Sequence, residues 1–296
     1  MSEQLIWYVV PIVVAATVFL IAIFLEFIAR KNPSIKNLLN LLRRGSFLSP
    51  TFLSLLVGII LILAAIQNFL FAPGLVLVDD SYLSLVLRIG QLAIGLSLIL
   101  GSFIRLSTLG LIACFVLGFF MFPALDMLDY SIFLGIGIFL FLVHRDALSF
   151  SFFFQPLDKQ KFFDKYRKYA LPILRFLAGF TLAYAAWHHN IFDNTAAIAF
   201  LEGRPLLNFM QSLFGFESYT HFWFLIHTGI FSILLGAMLA FGLLERIVAT
   251  IVGIGLIFTI FIGGLNFAPV VVPYFAIIYI IFTGNQFEER ERIAKG

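Results

Sequence analysis

Four of the five histidines in this 296-residue chain fall between residues 188 and 227. His188 and His189 close one apolar stretch, while His221 and His227 belong to the start of the next. Imidazole nitrogens ligate transition metals and heme iron, and they hydrogen-bond a quinone carbonyl, so convergence of these rings would suit any of those groups. A rise of about 1.5 Å per residue sets His227 about 9 Å deeper along its helix than His221, and about 240° around it, so the two do not share a face. The competing reading is interfacial anchoring, with the rings beside Trp187 and Trp223 in an aromatic belt. The first half of the chain has no matching histidines.

Other polar groups stand among apolar neighbours. Arg88 follows Asp79 and Asp80 and shares its side of the chain with Asp126 and Asp129, so a carboxylate is expected to neutralise it. The carboxylates Asp126 and Asp129 are expected to be a solvated outer pair. Arg105 and Arg246 each follow a glycine by four residues and place a cation where a helix ends, and Glu245 is expected to pair locally with Arg246. Several chemistries lack their residues. The single cysteine, Cys114, rules out dithiol chemistry, and neither a nucleophile elbow nor a phosphate loop is present. No lysine lies within an apolar stretch, which excludes a retinal Schiff base. No catalytic residue and no metal set is assigned.

The elements that must position these groups follow from composition. With 61% apolar residues, 38 Phe and 12% charged residues, the chain has too little polar surface to cover a soluble globule. Apolar runs lie near residues 5–29, 51–72, 83–103, 106–123, 125–143, 170–190, 222–241, 247–265 and 268–284. At about 20 residues per crossing these predict nine transmembrane helices, and their lack of alternation excludes barrel strands. All Lys and Arg except Arg88 and Arg204, of 19 in total, fall in the loops after odd-numbered spans or beside them, whereas Glu3, Asp126, Asp193 and Glu217 lie opposite. The bias places the N-terminus outside and the C-terminus in the cytoplasm. The formal net charge of +3 is then a consequence of topology, which makes anionic lipid the expected partner and not nucleic acid.

An internal repeat divides the chain. Gly58 and Ala64-Ala65 recur as Gly179 and Ala185-Ala186, 121 residues later; Gly95, Gly101 and Arg105 recur as Gly236, Gly242 and Arg246, 141 residues later. Four spans per copy is an even number, so both copies enter from the same side and the repeat is parallel. The expected organisation is a leading helix with a cytoplasmic amphipathic segment (1–50), a first four-helix unit (51–145), a cytoplasmic interfacial linker (146–169), a second unit (170–285) and a cytoplasmic tail (286–296). The last helix of each copy is short, and Gly135, Gly137 and Pro273 within them fit either a mid-membrane pocket or close packing.

Each unit resembles the four-helix DoxX/DoxD-like membrane family. The second copy carries the resemblance best, from Ile173-Leu174-Arg175-Phe176-Leu177-Ala178-Gly179 through Leu239-Ala240-Phe241-Gly242-Leu243-Leu244-Glu245-Arg246. The first, about residues 52–143, has Ser54 in the place of Arg175, and Gln67-Asn68 and His188-His189 occupy the region where the family commonly has a Lys. The resemblance implies a multi-pass protein of the bacterial inner membrane, in some members a subunit of a quinone-linked oxidation system. It leaves enzymatic activity open. A redox subunit is the implied partner; the histidine chemistry, and not the resemblance, makes His188, His189, His221 and His227 the candidates to hold a quinone or heme. A small-solute transporter and a scaffold without chemistry are the alternatives. The topology is testable: Ser2→Cys in intact cells should react with an impermeant thiol reagent and Lys295→Cys should not, and equal labelling would defeat the assigned orientation.

Overall fold

Residues 49–78, 81–143, 165–204, 207–212, 214–263 and 268–283 are described in the computed structural model. The first expected span, the segment Pro33–Phe47, Asp79, Asp80, the linker up to residue 164 and the C-terminal tail lie outside them.

Among the described residues the fold is all helical, with a single isolated bridge between Phe69 and Val76. In lipid the backbone must close its own hydrogen bonds, and apolar runs of this length do so as helices. The elements are α1 (Ser49–Ile66), α2 (Tyr82–Leu100), α3 (Ile104–Gly118), the short α4 (Ala124–Leu128), α5 (Ser131–Val143), α6 (Ala170–Ala186), α7 (Thr195–Glu202), α8 (Phe209–Ser212), α9 (His221–Phe241), α10 (Glu245–Gly263) and α11 (Ala268–Thr283). Helices therefore stand where the second to ninth spans are expected. Among the described residues three helical stretches are long and apolar enough to cross a membrane: Tyr82–Leu100, Arg167–Phe192 and His221–Phe241. The expected span at 125–143 is instead two helices, broken at Asp129 and Tyr130.

The helices pack in two rings joined at two seams. α1 packs on α2, α2 on α3, α3 on α5, and α5 back on α1; α6 packs on α9, α9 on α10, α10 on α11, and α11 back on α6. The seams are α5 against α6 and α11 against α1. Tyr274 ties α11 to α6 by donating its hydroxyl hydrogen to the Ala178 carbonyl at 2.9 Å.

Close approach inside each ring depends on glycine. Apolar helices gain nothing from leaving lipid for one another, so they associate where small residues let backbones touch. A Cβ added to Gly58 would lie 2.7 Å from the Gly95 carbonyl oxygen, and one on Gly95 equally close to the Gly58 oxygen. Gly179 and Gly236 meet in the same way, a Cβ on Gly236 falling 2.5 Å from the Gly179 oxygen. Gly135 and Gly137 are likewise filled from outside, by Leu177 and Ile112, and thus serve close packing.

Two helix ends reverse alike. Gly101 (φ 66°) ends α2 and Gly242 (φ 70°) ends α9, both in the left-handed region that glycine enters without steric cost. Phe103 (φ 51°) and Leu244 (φ 49°) follow each by two residues, again left-handed. Arg175 lies against Gly242, where a Cβ would strike its guanidinium, and pairs with Glu245. The expected local pair of Glu245 with Arg246 is thus replaced by a link from α10 to α6, because the reversal at Gly242 turns the first residue of α10 toward Arg175. Arg105 and Arg246 are half-buried at the matching positions after each reversal.

The loop after α1 folds back into the first ring. Leu70, Phe71, Ala72, Leu75 and Leu77 are all buried, and Phe71 stacks on Phe133 of α5 with ring centroids 4.7 Å apart. Its backbone is satisfied as burial requires. Leu77 N–H donates to the Asn68 carbonyl at 2.7 Å, and the buried Gln91 amide of α2 donates to the Phe69 carbonyl and accepts from Phe71 N–H at 3.2 and 3.3 Å.

The glycine contact gives a direct test. Gly179→Leu should overpack the α6–α9 pair and lower stability by about 1–3 kcal/mol or more, read as a fall in the thermal midpoint in detergent. Gly255→Ala, where an added Cβ meets nothing, should leave the midpoint unchanged.

Candidate functional site

The break between α4 and α5 places a carboxylate inside the protein. Pro123 precedes α4, and Met127 buries its side chain under Gly118, leaving Asp129 at the corner with 9% of its side chain exposed. α4 and α5 both pack on α6, so this corner faces the end of α6. Asp129 is therefore not the solvated group expected from sequence. An outer acidic pair reads as exposed when nothing shows that the next seam covers one member; Asp126 remains half-buried.

At the end of α6 the helix widens into a π-helical stretch, Trp187–Phe192. The Asp193 N–H donates to the His188 carbonyl at 2.8 Å, an i to i+5 bond. Gly229 of α9 makes room for the widened turn, since a Cβ there would lie 3.0 Å from Asn190 Cβ. π-Helical turns are rare and occur frequently at functional sites. Here the turn carries His188 and His189, whose successive rings would otherwise point about 100° apart.

Both imidazoles converge on one oxygen. Asp129 Oδ2 lies 3.0 Å from His188 Nδ1 and 2.8 Å from His189 Nε2. His188 is buried, at 10% side-chain exposure, and His189 opens outward at 56%. The second carboxylate oxygen, Asp129 Oδ1, is buried without a hydrogen-bond partner, and so is the hydroxyl of Tyr184, one helical turn before His188 with the two rings 5.8 Å apart. Trp187 stacks on Phe192 at 5.1 Å and flanks the site. Just beyond the span, the Asp193 carboxyl is held below its ordinary range, chiefly because it accepts a hydrogen bond from the Thr195 hydroxyl at 2.5 Å.

The other two histidines go elsewhere. Among the described residues the group of donor atoms able to share an ion comprises Asp129, His188 and His189, without His221 or His227. The His221 Nδ1 accepts from the fully buried Asn208 amide at 3.2 Å, and the same amide donates to the Tyr219 carbonyl at 3.0 Å. The Tyr219 hydroxyl lies 2.5 Å from His227 Nδ1. Burial pushes the Tyr219 hydroxyl up to about 12, so it stays protonated at neutral pH. These bonds fasten the loop before α9 onto that helix. The four-histidine convergence is thus corrected to a pair of histidines and a carboxylate that sequence reading left outside.

Arg88 is half-buried on α2, and Asp129 is engaged by the histidines. Asp79 and Asp80, the other expected partners of Arg88, lie outside the described residues.

The chemistry open to this arrangement is that of a shared proton or a shared cation. A carboxylate oxygen with two imidazoles can take up, hold or pass on a proton, and the same three atoms are ligands for a transition metal. A double-substitution cycle measures how far the cluster is self-supporting. His188→Leu should cost about 1–3 kcal/mol by leaving a buried carboxylate short of a donor, and adding Asp129→Leu should restore part of that loss. Denaturation of the purified variants in mixed detergent reads both.

Against this geometry, no protein-family model, no curated protein and no solved structure matches the chain.

Proposed function

We propose that this chain is a DoxX-like membrane subunit of a quinone-linked electron-transfer assembly in the bacterial inner membrane, with a leading helix followed by two tandem parallel four-helix units. The matched glycine contacts at offsets of 121 and 141 residues, the paired left-handed reversals and the two rings of like connectivity support the duplication. The arginine-rich loops support an outer N-terminus, and in that orientation the Asp129 site lies toward the outer face.

The observation that carries the functional reading is the buried Asp129 carboxylate held by two imidazoles, one inside and one opening outward. Oxidation of a quinol releases two protons with its two electrons. A group that accepts a proton at the edge of the hydrocarbon, backed by a carboxylate that stabilises the imidazolium, suits that release. In this reading the quinol hydroxyl bonds His189, Asp129 and His188 accommodate one proton, the second leaves to water past the exposed His189, and the two electrons leave through a partner redox subunit. Trp187 and Phe192 offer the aromatic flank for the head group.

Organic extraction of the purified wild-type protein should yield a quinone in near-stoichiometric amount. His189→Ala and Asp129→Asn should each lower the retained quinone at least fivefold, and His221→Gln should not. A wild-type protein that retains no quinone, and binds none when it is added back, would end this reading.

A further inference from the structure

We infer that Asp129, His188 and His189 form a binding site for one divalent first-row transition-metal ion. The inference takes the Asp129 site as functional, as the quinone-linked reading does, but it rests on the donor set itself.

The three donor atoms lie within 4.8 Å of one another and come from two helical elements across the α5–α6 seam. Metal bonds of about 2.1 Å at right angles place neighbouring donors about 3.0 Å apart. The observed separations, 3.0 Å for His188 Nδ1 and 2.8 Å for His189 Nε2 from Asp129 Oδ2, set each imidazole beside the carboxylate oxygen at that spacing. Two imidazoles and one carboxylate are the donors that Fe2+ and Zn2+ accept while keeping further positions free for water or a ligand. The set holds a single carboxylate beside two imidazoles, which makes it unlike a solvated acidic patch.

A second observation points to the same occupant. Asp129 Oδ1 is buried without a partner in a residue only 8% exposed, an arrangement that costs free energy unless something unseen among the protein atoms meets it. A cation beside the carboxylate compensates that burial. The Tyr184 hydroxyl, also buried and unpartnered, is one turn away on α6 and is placed to hydrogen-bond a ligand-bearing oxygen. The exposure of His189 leaves a route by which an ion enters from the outer side.

The test uses full-length protein free of any histidine tag, stripped by a chelator and titrated with Co2+. The wild type should take up one Co2+ per chain with visible d–d absorption, and the ion should raise its thermal midpoint. Asp129→Asn and His189→Gln should each weaken uptake at least tenfold, and His221→Gln, whose ring is bonded to Asn208, should bind as the wild type does. Midpoints taken without metal show which variants are folded. Absence of stoichiometric uptake by the wild type, or equal affinity in Asp129→Asn and His189→Gln, overturns the inference. Quinone content measured on the same preparations separates the two readings: quinone retained without Co2+ uptake defeats the metal site alone, and Co2+ uptake without quinone defeats the quinone reading alone.

Discussion

Backbone contact at glycine is the constraint on which the rest of this structure depends. Inside a bilayer two apolar helices gain little by exchanging lipid for each other, so dispersion over a close interface must hold them. Gly179 and Gly236 allow that closeness between α6 and α9, as Gly58 and Gly95 do between α1 and α2. Once α6 and α9 are held together, the end of α6 has to pass α9 at Gly229, and the widened turn at Trp187–Phe192 is accommodated there. The histidine pair is consequently positioned by this packing as well as by its bonds to Asp129.

The two seams between the helix rings differ in character. The α5–α6 seam encloses Asp129, His188 and His189 at one end. The residues that precede the histidines by 121 positions are Gln67 and Asn68, just past the end of α1. There the chain turns at Asn68 (φ 61°) and the following loop folds inward to fill the ring with Leu70 and Phe71. An amide pair carries no proton to exchange and is a poor ligand beside imidazole. Among the described residues the carboxylate and imidazoles meet at the α5–α6 seam, and at the matching end of α1 apolar side chains fill the first ring instead.

Much of the architecture is legible from residue types. Long apolar runs give the helices of the described residues, and glycines at equal offsets mark both the close contacts and the reversals at Gly101 and Gly242. The histidines at residues 188 and 189 stand out because polar rings are scarce in apolar surroundings. Their partner does not, since Asp129 lies 59 positions before His188 and forms part of an acidic pair that reads as solvated. The pairing of Glu245 with Arg175, 70 positions apart, escapes for the same reason.

The sequence by itself determined solvent, element and spacing: hydrocarbon around the chain, helices within it, glycines where backbones meet. Those properties are local, because hydropathy, helix periodicity and the steric freedom of glycine act over a few residues. The tertiary structure alone decided which polar groups share a site. That choice depends on how α5 is set against α6 and on a π-helical turn whose i to i+5 bond is stabilised by packing against α9, and no local residue pattern fixes either. Asp129, His188 and His189 became one site because a seam closed over them, which also separated them from His221 and His227.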